Sequence, residues 1–80
     1  MIARVFVGLK PGVLDPQGRT IARSLNDLGF DEVRDATQGK VIELTLEDGD
    51  RELTEARIKE MCEKLLANTV IENYRIEIAD

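Results

Sequence analysis

From its first residues the chain alternates: Ala3, Val5, Val7 and Leu9 fall on one face of an extended segment, and Ile2, Arg4, Phe6 and Gly8 on the other. The alternation predicts a strand over residues 2 to 10 with an apolar face and a mixed face. Lys10-Pro11-Gly12-Val13-Leu14 breaks it. Asp15-Pro16 then has the form of a helix start, a side-chain acceptor followed by a proline at the first helical position, where its missing N–H costs no hydrogen bond. Ile21, Ala22, Leu25 and Leu28 recur at helical spacing, and Gly29-Phe30 predicts a Schellman closure with Phe30 against Leu25.

Residues 33 to 37 and 41 to 47 read as two extended stretches joined by Gln38-Gly39-Lys40, a glycine-containing tight antiparallel turn. Ile42, Leu44 and Leu46 then face the core, with Val41, Glu43 and Thr45 opposite. Glu47-Asp48-Gly49-Asp50 is a turn whose last residue caps a second helix. Leu53, Ile58, Met61, Cys62, Leu65 and Leu66 form that helix's apolar stripe, and Asn68, which tolerates a left-handed backbone, ends it. A last strand over Val70 to Ile78 puts Tyr74, Ile76 and Ile78 on one face and Arg75 and Glu77 on the other. The order is βαββαβ in a single domain, residues 1–80. Its economical packing is a ferredoxin-like α+β sandwich, a four-stranded antiparallel sheet with two helices on one face.

That packing leaves the mixed sheet face uncovered. Ile2, Phe6 and Val41 lie there among Arg4, Glu43, Thr45, Arg75 and Glu77. A solvated antiparallel face is ordinary, but a chain of 80 residues buries proportionally little surface by itself, so burial of this face in an oligomer is the favoured reading.

Charge and composition remove most other roles. Acidic residues outnumber basic ones 16 to 11, so polyanions are repelled on average and nucleic acid is not an expected partner. Only Phe6, Phe30 and Tyr74 are aromatic, too few for a base-stacking platform. There is no histidine, which takes away the commonest general base and metal ligand. The one cysteine, Cys62, sits on an apolar stripe with no imidazole to activate it and reads as core. Glu47, Asp48, Asp50 and Glu52 lack the spacing of a calcium loop and read as a polar turn at a helix start. Gly39-Lys40 has Arg34 and Val41 where a phosphate loop needs Gly and Ser or Thr. Lys10, Arg19 and Arg23 surround the first helix start, but scattered basic residues on a solvated helix are the commoner case. No catalytic, cofactor-binding or metal-binding residue is therefore expected. With no membrane span and no leader pattern, the expected location is the cytoplasm.

Val13-Leu14-Asp15-Pro16-Gln17-Gly18, Gly39-Lys40 with Glu43-Leu44, and Met61 through Glu72 followed by Tyr74 together resemble the PurS family over nearly the whole chain. The resemblance implies a small non-catalytic subunit of phosphoribosylformylglycinamidine (FGAM) synthase in purine biosynthesis. That ligase consumes formylglycinamide ribonucleotide, ATP and glutamine, with ATP and Mg used by a large synthetase subunit and ammonia supplied by a glutaminase subunit. A homodimer or dimer of dimers of the small subunit would bridge the two. The expected interface residues are Phe6 and Val41 on the sheet and Val13, Leu14, Asp15 and Gln17 in the first connection. A small-molecule regulatory domain of the ACT type remains the alternative, with the Lys10 to Gly18 connection as its only plausible pocket.

Overall fold

The computed structural model describes residues 1–79. At its centre lies β1 (Ile2–Leu9), flanked by β2 (Lys40–Thr45) and β3 (Glu72–Ala79) in an antiparallel sheet of order β2-β1-β3. The register sets Ala3 between Leu44 and Ile78, and Val5 between Ile42 and Ile76. Period-2 alternation thus becomes continuous apolar rows across the inner face. Ala3, Val5 and Val7 are buried, whereas Ile42, Leu44, Tyr74, Ile76 and Ile78 are only partly covered.

The cover is a single helix. Asp50 caps α2 (Arg51–Met61), its carboxylate accepting from the Glu52 and Leu53 N–H groups at 2.8 and 3.3 Å. A π turn over Cys62–Leu66 continues it. Ile58 and Cys62 are wholly buried against the sheet, and α2 packs on the β3 side. Two members of the expected stripe, Leu53 and Leu65, instead remain exposed. Asn68 does not end the helix in a left-handed conformation: among the described residues only Gly12 and Gly29 have positive φ. Its side chain accepts from the Val70 N–H at 3.2 Å, and its carbonyl accepts from Ile71 and Glu72, turning the chain into β3.

The first helix, α1 (Pro16–Asp27), begins and ends as expected. The Asp15 side chain caps it, and the Phe30 and Gly29 N–H groups donate to Leu25 and Asn26 at 3.0 Å each, with Gly29 at φ 101°. Its position differs from expectation. α1 does not lie on the sheet, and residues 33 to 37 form no fourth strand among the described residues. The physical reason is legible in the segment: its apolar positions, Val33 and Ala36, are three apart, so no alternating face exists to bury in a sheet.

The segment runs back along α1 instead. Asn26 Nδ2 donates to the carbonyls of Phe30 and Val33 at 2.9 and 3.0 Å. Ala36 O lies so close to Gly18 that a β-carbon there would be 2.2 Å away. Gly39 is likewise not the hinge of a hairpin. A β-carbon on it would sit 2.5 Å from Val7 O, so glycine is required by close backbone approach. Helix and returning segment form an arm beyond the sheet. The Cα radius of gyration, 16.0 Å, accordingly exceeds the ~12 Å of a compact chain of this length.

Candidate subunit interface

The outer sheet face is organised in rows set by the register. Arg4 lies between Glu43 and Glu77, and Phe6 between Val41 and Arg75. Arg4 Nε meets Glu43 Oε2 at 3.0 Å, Arg75 is paired with Glu77, and the Arg75 guanidinium stacks 4.1 Å from the Phe6 ring centroid. Such exposed pairs add little stability, but they leave the face with its charges already matched. Val41 is 58% exposed and Phe6 half-buried. Beside them the missing side chain of Gly8 opens a groove of about 510 Å³.

The first connection holds the other expected interface residues. Leu14 is 65% exposed, Gln17 is exposed and Val13 is half-buried. Asp15 does more than cap. One carboxylate oxygen accepts from Gly18 N–H and the other from Gln38 N–H, both at 2.8 Å, so a single side chain ties the two ends of the arm together. The spacing in sequence reveals the cap but not the contact with Gln38. The two sets of predicted residues are not brought into one patch: Phe6 and Val41 lie on the outer sheet face, and Val13 to Gln17 at the base of the arm.

The Gln38 N–H foremost, with that of Gly18, holds the Asp15 carboxyl below the usual carboxylate range, partly opposed by burial. With the folded value below the unfolded one, the clamp's contribution is present above the ordinary aspartate value of ~3.9 and is lost as pH falls through the folded value. The amide proton of Gln38 should therefore titrate with a midpoint below ~3.9, and Asp15→Asn should abolish that titration. A Gln38 midpoint at the ordinary aspartate value would contradict the clamp.

Reactive chemistry is scarce. Burial foremost, then the neighbouring Glu63 carboxylate, pushes the Cys62 thiol up, the reverse of what a nucleophile needs. Tyr74 donates its hydroxyl proton to Glu63 at 2.7 Å, which raises its pKa and occupies the group in joining β3 to the helix end. No group of three or more possible metal ligands occurs among the described residues.

Sequence reading missed the exposed side of the arm. Leu28 is 75% exposed, Phe30 49% and Ile21 40%, although helical spacing had marked Ile21 and Leu28 for the core. The amphipathic stripe predicted the helix, but its burial against the sheet is not what the structure shows.

The family model for PurS, described as phosphoribosylformylglycinamidine (FGAM) synthase, matches residues 2–80. The PurS subunit of that synthase from Bacillus subtilis is 52% identical over 77 residues, covering 96% of this chain and 90% of the relative. Its counterpart from Methanocaldococcus jannaschii is 46% identical over 76 residues, covering 95% and 92%. A solved structure of Bacillus subtilis PurS superposes with a TM-score of 0.87 at 51% identity, covering 99% of this chain and 98% of that one. A chain in the structure of PurLQS from Thermotoga maritima superposes with a TM-score of 0.83 at 32% identity, covering 96% of each. Matched from its first strand to its last and in fold as in sequence, the chain belongs to the PurS family of FGAM synthase subunits.

Proposed function

We propose that this chain is the non-catalytic bridging subunit of a cytoplasmic, glutamine- and ATP-dependent FGAM synthase, and that it supports ammonia transfer from a glutaminase subunit to a synthetase subunit. The observation that carries the reading is the family match across residues 2–80, on a chain whose conspicuous features are uncovered surfaces. The superposition on a chain of PurLQS supports its place in a larger assembly. In this reading ATP and Mg are used by the synthetase, and this chain binds neither.

Two surfaces divide the work. Phe6 and Val41 form a charge-matched apolar row suited to a second copy, giving a homodimer or dimer of dimers. Val13, Leu14, Asp15 and Gln17, on a connection braced by Pro11 and Pro16, present a pre-ordered edge to a larger subunit. Ammonia made at one active site and used at another escapes unless the two are held together, which is a task for a scaffold. The test is reconstitution of the three subunits with and without this chain, in which glutamine-dependent FGAM synthesis should require it.

A further inference from the structure

We propose that the first connection and the returning segment form a cleft for an apolar segment of a larger subunit that carries an aspartate or glutamate, whose carboxylate Lys10 and Arg19 hold. The inference rests on the bridging reading above and gives the edge from Val13 to Gln17 its ligand chemistry. A cleft of about 540 Å³ opens there, lined by the connection, by Arg19 on the first turn of α1 and by residues 35 to 37. Its outer wall is pre-formed. The Val13 N–H donates to Lys10 O at 3.1 Å around Pro11-Gly12, with Gly12 at φ 87°, and the Lys10 N–H donates to Ile71 O at 2.8 Å, which ties the turn to the residue before β3. Little ordering of this wall is left to be done on binding.

Four charged side chains line the cleft, and they are not equivalent. The two carboxylates are already engaged: Asp15 accepts from Gly18 and Gln38, and Asp35 Oδ1 accepts from the Ala36 N–H at 2.9 Å. The two cations are not. Among the described residues neither the Lys10 ammonium nor the Arg19 guanidinium makes an ion pair or a side-chain hydrogen bond, and Arg23, one turn along α1 from Arg19, makes none either. On a chain of net charge −5 the cleft thus holds surplus donors without acceptors, which a carboxylate satisfies and a guanidinium fork can grip with two parallel bonds. Donors alone would fit any small anion. The apolar edge decides for a protein segment: Leu14 is 65% exposed and Val13 half-buried beside the cations, and a free phosphate or acetate covers neither, whereas an apolar residue next to an acidic one in a partner chain covers Leu14 while its neighbour meets the donors.

Arg19→Glu and Lys10→Glu reverse charges that pair with nothing in the fold, so each variant should melt with the parent. Binding of each to the mixed glutaminase and synthetase subunits, followed by sedimentation, should weaken by about tenfold or more, because the reversed charge faces the incoming carboxylate. Lys59→Glu makes the same change in net charge at an exposed position on α2 and should bind as the parent does. Parent-like binding by Arg19→Glu, or equal weakening by Lys59→Glu, overturns the cleft and leaves the bridging reading standing; a parent chain that binds neither larger subunit overturns both. Should Arg19→Glu melt below the parent, Arg19→Gln takes its place, and parent-like binding by that variant overturns the cleft in the same way.

Discussion

Gly18→Val should loosen the arm while leaving the sheet intact. A β-carbon at this position would lie 2.2 Å from Ala36 O and 2.8 Å from an Asp15 carboxylate oxygen. Neither neighbour is a flexible side-chain end that can swing aside: one is backbone, and the other belongs to a carboxylate whose two oxygens each accept an N–H. The returning segment must therefore move, and the bond from Gln38 to Asp15 goes with it. Overpacking of this kind costs about 1–3 kcal/mol. Taken as local opening, that corresponds to amide exchange faster by about 5- to 150-fold at the arm base. The amides of β1 and β3 should be unaffected, because the buried cluster they share with Ile58 and Cys62 contains no arm residue. Hydrogen exchange resolved by residue checks this. Unchanged protection at Gln38, or equal loss across the sheet, would mean that the arm is not a separately anchored unit.

Ile58→Ala should have the larger effect on global stability. Ile58 is the largest of the wholly buried side chains, and only one helix covers the sheet, so no second layer can settle into the void. Large-to-small changes at such sites cost about 2–5 kcal/mol, against a total of roughly 4–12 kcal/mol for a chain of this size. A fall in melting temperature of roughly 10 °C or more is expected, measured at one protein concentration because any dimer links melting to dilution. A shift of less than ~3 °C would show that the cluster around Ile58 does not hold the fold together. Leu65→Ala, at a stripe position that is exposed, should be nearly neutral beside it.

What was legible in the sequence was what local chemistry decides. Asp15-Pro16 and Asp50 start helices because a carboxylate satisfies orphan N–H groups wherever it precedes them. Gly29 ends α1 because the left-handed position excludes a β-carbon at little cost only in glycine. The alternation of Ala3, Val5 and Val7 placed the core strand, and the surroundings of Cys62 placed its thiol in the core.

Placement between elements was not legible. Ile21, Leu25 and Leu28 mark an apolar helix face, and period alone does not fix where that helix lies relative to the sheet. The economical sandwich assumed that both helix stripes share one layer with the sheet, and the fourth strand came from reading residues 33 to 37 as extended, although Val33 and Ala36 lack the alternation a strand needs. Gly18 and Gly39 were the missed signals. Each permits a backbone contact with a distant segment, which the flanking residues alone do not reveal. The pairing of Phe6 with Val41 on one sheet face followed from alternation, whereas the clamp from Asp15 to Gln38 spans 23 residues and leaves no periodic trace.

The bridging role is tested most directly by reconstituting the ligase from its glutaminase and synthetase subunits, with and without this chain, and measuring FGAM formation from glutamine and, separately, from ammonium salt. Free ammonia needs no delivery, so synthesis from ammonium should proceed in both mixtures. Synthesis from glutamine should require the chain, and the three subunits should co-elute only when it is present. Equal glutamine-dependent rates with and without the chain, or a complex of the two larger subunits that forms and functions in its absence, would contradict the account.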